Sequence, residues 1–235
     1  MSTRKTELAE RTAQVKEELA EAAKAAGRKP EDVSLVAVSK LHPASDIRAL
    51  AESGQVDFGE NYVQEVLNKQ EELADLSVNW HFIGGLQSNK AKFVAGNFEL
   101  VHSVDSRKLA QALHKKALSL NVVQDILLQV NIAGEVQKSG ITVDSLPELA
   151  DEVIKMENVR LVGLMTMPPF FDEPERARPV FSRLRELRDT LESQLGTQLP
   201  HLSMGMTGDF IPAVQEGATL VRIGTRIFGA RPPRI

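Results

Sequence analysis

The first 26 residues of the chain carry a hydrophobic stripe with helical spacing. Apolar side chains recur every three or four residues between Thr3 and Ala26, and polar residues occupy the positions between them. Gly27 and Pro30 follow, and both residue types are typical of the end of a helix. The pattern predicts an amphipathic helix over about residues 3–26.

From residue 34 onward, short apolar runs alternate with longer amphipathic segments. The runs are rich in β-branched residues and predict eight strands, at residues 34–40, 57–60, 79–84, 100–105, 125–131, 159–167, 201–206 and 220–225. Segments with helical spacing lie between them, at residues 43–54, 61–76, 88–95, 106–120, 146–156, 174–195 and 209–217. Strict alternation of strand and helix predicts a parallel sheet.

Eight such units in 235 residues predict a closed (β/α)8 TIM barrel of the α/β class, with little room for insertions. An open, doubly wound sheet is the alternative, because spacing alone does not show that the sheet closes. The chain has no linker, low-complexity tract or composition shift that marks a second domain. We therefore expect residues 1–235 to form a single barrel domain that begins with the helix over residues 3–26.

Composition narrows the class of protein. A hydrophobic content of 42% with 26% charged residues excludes a disordered chain, and a formal net charge of -4 gives no basic surface for nucleic acid. No run approaches the roughly 18 apolar residues of a membrane span, and the charged N-terminus is unlike a secretion signal. The chain has no cysteine, which excludes disulfides and thiolate metal sites. We expect a cytoplasmic protein that binds neither membrane nor metal.

Lys40 is the first candidate for chemistry, because functional groups of a TIM barrel lie at the C-terminal ends of its strands. Lys40 ends the first predicted strand, directly after the apolar run Leu35–Val38. Desolvation of a lysine in that place lowers its pKa and makes its amine a nucleophile. The simpler alternative is a lysine that extends into solvent.

The ends of the last two strands are the second candidate. Ser203-Met-Gly-Met-Thr207 and Arg222-Ile-Gly-Thr225 combine glycines with hydroxyl groups, and barrels often bind phosphate with the loops after strands seven and eight. Simple tight turns are the alternative interpretation. A lysine at strand one together with a phosphate site at strands seven and eight indicates a phosphorylated aldehyde, and pyridoxal phosphate fits this description. Arg222, on the same strand face as Gly224, could reach the pyridine nitrogen or form an ordinary salt bridge.

Seven short sequence motifs resemble those of a known family. They are Ala37-Val-Ser-Lys40, Phe58-Gly-Glu-Asn61, Trp80-His-Phe-Ile-Gly84, Leu86-Gln-Ser-Asn-Lys90, Gly163-Leu-Met-Thr-Met167, Leu202-Ser-Met-Gly-Met206 and Val221-Arg-Ile-Gly-Thr225-Arg-Ile-Phe-Gly229. Together they resemble the YggS/PROSC family of pyridoxal phosphate homeostasis proteins, and the resemblance runs over about residues 34–231. It implies a fold-type III barrel like the N-terminal domain of alanine racemase.

The resemblance also assigns roles to individual residues. It implies that pyridoxal 5′-phosphate is bound to Lys40 as an imine. The phosphate is expected on Ser203, Gly224 and Thr225, while Arg222 is expected to face the pyridine nitrogen. Two further residues have implied roles, near the ring and as an alternative attachment or exchange point: Asn61 and Lys138.

Three positions depart from the family pattern. Gly85 stands where a histidine is usual, Thr207 where serine is common, and Arg226 where the residue is usually small. None of the three is the lysine or the arginine of the implied site.

Two functions from different classes remain open. The first is a monomeric carrier that buffers pyridoxal phosphate and supplies it to apo-enzymes that depend on this cofactor. The second is an amino-acid racemase, which needs a second acid or base on the opposite face of the ring. In alanine racemase that group is a tyrosine oriented by an additional β-domain. The single tyrosine here is Tyr62, and the chain ends soon after the last barrel motif. The carrier is therefore favoured, and no catalytic residue is assigned.

Overall fold

Eight parallel strands form a closed barrel in the computed structural model, which describes residues 3–135 and 137–230. Each strand pairs with the next along the chain, and the eighth pairs with the first. The strands are β1 (Ser34–Val38), β2 (Asp57–Glu60), β3 (Asn79–Phe82), β4 (Leu100–Val104), β5 (Gln124–Gln129), β6 (Val159–Met165), β7 (His201–Ser203) and β8 (Leu220–Ile223). The predicted TIM barrel is confirmed, and the open sheet is excluded.

Helices follow the strands around the outside of the barrel. The α-helices are α1 (Arg4–Ala25), α2 (Ala44–Ala51), α3 (Val63–Glu72), α4 (Arg107–Leu120), α5 (Leu146–Val153), α6 (Arg178–Leu195), α7 (Phe210–Gln215) and α8 (Thr225–Phe228). Short 3-10 helices span Pro30–Asp32, Ser88–Phe93 and Pro174–Ala177. Within the described residues, no helix is long and apolar enough to cross a membrane.

The N-terminal helix forms as its hydrophobic stripe predicts. The hydroxyl of Thr3 accepts the backbone N–H of Thr6 and caps the first turn, and Gly27 takes a φ of 69° beyond the last turn. Leu8, Val15 and other members of the stripe are buried. Through this stripe α1 packs against α2, α7 and α8.

Three segments near the strand ends differ from the prediction. The helix predicted over residues 88–95 is a 3-10 helix, because Ala91 alone is buried between Ser88 and Phe93 and no apolar stripe favours an α-helix. The seventh strand ends at Ser203, since Gly205 adopts a φ of 91° that breaks the extended conformation. The helix α8 has four residues, too few to show a periodic pattern.

The buried side chains form two layers. The large layer lies between the strands and the helices and includes Phe58, Phe181 and Phe228. A smaller cluster consists of strand residues that point into the barrel, namely Val36, Leu100, Leu127, Val162, Met165 and Leu220. The rest of the barrel interior contains polar side chains, which lie beneath the candidate site.

Candidate functional site

A cavity of about 730 Å³ opens at the C-terminal ends of the strands. A volume of this size is typical of small-molecule sites. Six of the seven residues that the sequence assigned to the site line this cavity, namely Lys40, Asn61, Lys138, Arg222, Gly224 and Thr225. Ser203 is the exception. The fold therefore brings together residues that are separated by up to 185 positions (225 − 40) in the chain.

The strand alternation of β1 directs Lys40 to the cavity. Val36 belongs to the interior cluster and Val38 lines the cavity, so Lys40, two residues further on, lies on the same side of the strand. The next residue, Leu41, has a φ of 66°, in the left-handed region that residues other than glycine, asparagine and aspartate rarely adopt. Its N–H donates to Glu65 Oε1 over 2.6 Å, which holds the turn after Lys40 in place.

A buried charge cluster, formed by Glu60, Glu65 and Lys69, supports the residue before Lys40. Lys69 Nζ donates to the carbonyl of Ser39 (2.9 Å) and to one carboxylate oxygen each of Glu60 (2.7 Å) and Glu65 (2.6 Å). The hydroxyl of Ser39 also donates to Glu60 Oε1. Burial raises the pKa of Glu60 above its ordinary value, although Lys69 acts in the opposite direction. The sequence did not predict this cluster, whose one local signal is the i, i+4 spacing of Glu65 and Lys69 on α3.

Arg222 is a buried cation in the wall of the cavity, with only 4% of its surface exposed. Its Nη1 donates to Ser203 Oγ (2.5 Å) and its Nη2 to the carbonyl of Thr166 (3.0 Å). Burial lowers the pKa of Arg222 to about 10, and the nearby Asp209 acts in the opposite direction. The guanidinium therefore remains positively charged at neutral pH.

Ser203 lies beneath this arginine and does not line the cavity. It is completely buried, and its hydroxyl lies between Arg222 and His102, 2.8 Å from His102 Nδ1. The structure thus places the side chain of Ser203 among the supports of Arg222, whereas the family resemblance implied a phosphate contact.

The end of β8 has the features of an anion site. A Cβ on Gly224 would lie 3.1 Å from the carbonyl of Val38, so glycine permits the close approach of β8 to β1. The helix α8 begins at Thr225, where the first backbone N–H groups of a helix have no intrahelical partner. Thr225 Oγ1 lies 3.2 Å from Thr207 Oγ1, and both threonines line the cavity. Thr207 belongs to the turn after the seventh strand that the sequence predicted as a phosphate site, and it lies at the cavity beside Thr225.

Asn61 presents a buried acceptor to the cavity. Its Oδ1 has no hydrogen-bond partner among the described residues, although buried polar atoms are normally satisfied. Its backbone packs against Gly84, where a Cβ would lie 2.7 Å from Asn61 Cα. An unsatisfied amide oxygen in the cavity wall, beside an amine, a cation and two hydroxyls, fits a polar ligand such as pyridoxal phosphate.

Lys138 approaches the cavity from the loop after β5. Its Nζ donates to the carbonyl of Pro168 over 3.0 Å and forms an ion pair with Glu135 over 2.7 Å. Phe170, in the loop that follows Pro168, is 90% exposed at the rim of the same cavity. Lys138 therefore connects two loops at the cavity mouth.

The other two departures from the family pattern lie outside the cavity lining. Arg226 pairs with Glu18 of α1 (2.7 Å between Nη1 and Oε2), so this arginine fastens α8 to the N-terminal helix. A Cβ on Gly85 would meet no atom within 4 Å, so a larger residue has room there.

Comparisons with known proteins give matches over nearly the whole chain. The model of the family described as alanine racemase, N-terminal domain, matches residues 11–232. The pyridoxal phosphate homeostasis protein of Pseudomonas aeruginosa is 50% identical over 224 residues, which cover 95% of this chain and 96% of that protein.

Solved structures show the same similarity. The PipY protein of Synechococcus elongatus, solved with PLP bound, is 37% identical with a TM-score of 0.84, and the match covers 94% of this chain and 100% of that one. The alanine racemase of Clostridium difficile shares 15% identity with a TM-score of 0.70, over 86% of this chain and 54% of that one. Because the identity is this low, the similarity to the racemase shows a shared fold alone.

Proposed function

Since the chain belongs to the family of pyridoxal phosphate homeostasis proteins, which share the alanine racemase N-terminal domain, we propose that it binds pyridoxal 5′-phosphate and buffers it in the cell. One observation carries this proposal. The cavity wall at the barrel mouth combines Lys40, the buried cation of Arg222 and the unsatisfied oxygen of Asn61 with the anion site at Thr225. Each of these groups matches a different part of the cofactor.

The cofactor supplies an aldehyde carbon that a primary amine attacks. The amine of Lys40 would hold the cofactor by condensing with this carbon, with loss of water. Gly224, Thr225 and the hydroxyl of Thr207 would hold the phosphate where α8 begins. Arg222 would face the pyridine nitrogen as a hydrogen-bond donor. A donor that is already a cation disfavours protonation of this nitrogen, so the ring withdraws electrons less strongly.

A carrier fits this site better than a racemase. Racemisation requires an acid or base on each face of the ring. Tyr62, the residue type that alanine racemase uses, is the residue before the first residue of α3 and does not line the cavity. We propose that the protein acts in the cytoplasm as a monomer, that it supplies apo-enzymes, and that Lys138 is a second attachment point during exchange.

The attachment point can be identified chemically. Titration of the purified protein with pyridoxal phosphate is expected to produce imine absorbance, and borohydride reduction followed by peptide mapping should locate the pyridoxyl group on Lys40. The variant Lys40→Ala should lose most of this absorbance, while Lys138→Ala should retain it. A pyridoxyl group found only on another lysine would contradict the assignment.

The absence of turnover needs its own assay. A chiral assay with alanine, serine and other amino acids, combined with deuterium exchange at the α-carbon, should show no reaction at enzymic rates. Turnover of about one per second or faster, lost in Lys40→Ala, would establish a racemase in place of a carrier.

A further inference from the structure

A chain of hydrogen bonds crosses the barrel interior beneath the cavity. From Ser203 Oγ, which accepts from Arg222, it continues to His102 Nδ1 (2.8 Å). His102 Nε2 lies 3.0 Å from His81 Nδ1, and His81 Nε2 lies 3.2 Å from Asp57 Oδ1. Ser203 and the two histidines are nearly or completely buried, whereas Asp57 is half-buried. Four consecutive hydrogen bonds thus connect the cavity wall to the start of β2, at the opposite end of the barrel.

The carboxylate end of this series, together with neutral imidazoles, sets the order of the protons. A carboxylate only accepts, so His81 donates from Nε2 to Asp57. With both imidazoles neutral, His81 Nδ1 accepts from His102 Nε2. His102 Nδ1 is then unprotonated and accepts the hydroxyl proton of Ser203, whose oxygen accepts from Arg222. All hydrogen bonds point away from the cavity.

The charges along the chain agree with this order. Burial, together with the neighbouring His81 and Arg222, lowers the pKa of His102 well below its ordinary value, so this histidine is neutral. Burial acts to raise the pKa of Asp57, but the hydrogen bonds from His81 and Asn79 outweigh it and keep that pKa below its usual range. A buried cation at one end is thus matched by a carboxylate at the other.

We propose that this series of hydrogen bonds positions Arg222. Asp57 sets the tautomers of both histidines, and Ser203 fixes the guanidinium toward the pyridine nitrogen. The expected effect on cofactor binding rests on the proposed function, whereas the proton order does not. Asp57 also borders a separate cavity of about 340 Å³ at the opposite end of the barrel.

The proton order can be measured in the protein without cofactor. In 15N-labelled apo-protein, NMR at about pH 7 is expected to show His81 and His102 as neutral imidazoles protonated on Nε2 alone. An Nδ1–H form or an imidazolium at either residue would overturn the proposal. In Asp57→Asn a second tautomer should appear at His81, because the amide can donate as well as accept. A single unchanged tautomer in this variant would show that Asp57 does not set the order.

The positioning role is tested by a matched pair of serine variants. Ser203→Ala removes the acceptor of Arg222, and the affinity for pyridoxal phosphate is expected to fall about tenfold, or 1.4 kcal/mol. Ser103→Ala also removes a buried hydroxyl, but that hydroxyl has no partner among the described residues, so affinity should not change. Equal affinity of Ser203→Ala and the unmodified protein would refute the role of Ser203. Failure of the unmodified protein to bind would instead refute the proposed function, since the tautomers are measured independently.

Discussion

Replacement of Lys69 by methionine tests whether the buried charge cluster supports the turn at Lys40. The side chain of Lys69 is 7% exposed, and its ammonium lies 2.7 Å from the fully buried Glu60 and 2.6 Å from Glu65. Methionine keeps much of the volume and removes the charge. Two carboxylates would then share a buried site without a cation, and the carbonyl of Ser39 would lose its donor.

The distances within the cluster set the scale of the loss in the free energy of unfolding. Coulomb's law with an effective dielectric constant of 20 gives about 6 kcal/mol for unit charges 2.7 Å apart, before any relaxation. Removal of one partner from a buried pair costs about 3–5 kcal/mol in practice. We therefore expect Lys69→Met to lower the free energy of unfolding by about 3–5 kcal/mol near neutral pH, a large share of the roughly 5–15 kcal/mol of a typical domain.

The pH dependence distinguishes an electrostatic loss from a packing loss. The pKa of Glu60 is raised by burial already in the unmodified protein, and without Lys69 it must rise further. An acid with a raised folded-state pKa contributes stability that is complete below its unfolded pKa of 4.5 and is lost as the pH rises through the folded value. The cost of Lys69→Met should therefore shrink as the pH falls toward 4.5.

Urea unfolding followed by circular dichroism at several pH values is the assay. Lys155→Met is the matched control, because Lys155 forms an i, i+4 ion pair with Asp151 in which both side chains are more than half exposed. Its effect should stay below about 0.5 kcal/mol. The reasoning is refuted if Lys69→Met costs less than about 1 kcal/mol at neutral pH, or if its cost is independent of pH.

Two further predictions concern the phosphate and the interior histidines. Thr207→Val and Thr225→Val should each weaken binding of pyridoxal phosphate by about tenfold, because a hydrogen bond to a charged group is worth about 1.5–3 kcal/mol, while binding of unphosphorylated pyridoxal should be unchanged in absorbance titrations. An equal loss for both ligands would contradict a phosphate role. Stability should fall as the pH drops below about 6.5, by up to 1.4 kcal/mol per pH unit, because the unfolded chain binds a proton that buried His102 does not. His102→Gln should reduce this slope in urea unfolding, and an unchanged slope would exclude His102 as its source.

The barrel could be predicted because its signals are local. Alternation of β-branched runs and amphipathic segments is visible in windows of about ten residues, and the count of eight units indicates closure. The rule that chemistry lies at the C-terminal strand ends then predicts one shared site for Lys40, Arg222 and Thr225. The cavity brings these three together.

The features that the sequence did not predict depend on contacts between side chains on different strands and loops. The family resemblance implied that Ser203 contacts the phosphate, whereas in the structure its side chain lies at the end of the seventh strand, against Arg222 and outside the cavity lining. The contact between His81 and His102 joins side chains on neighbouring strands through their register, which sequence does not specify. The turn that contains Thr207 was predicted as a phosphate site, but the contact between its hydroxyl and that of Thr225 was visible only in the structure.

The polar chain in the barrel interior is difficult to explain by stability alone. TIM barrel interiors are usually filled by branched apolar residues, and replacement of a buried ionic network by well-packed apolar side chains is often neutral or stabilising. Arg222 is a buried cation, and the nearby charge that favours its ionised form is Asp209. Ser203 and the carbonyl of Thr166 hold the guanidinium in one direction, and the hydrogen bonds continue from Ser203 through two histidines to Asp57. A site that only needed to bind phosphate and an aldehyde would not require a cation fixed in this way, so the polar interior fits the proposed role in positioning Arg222.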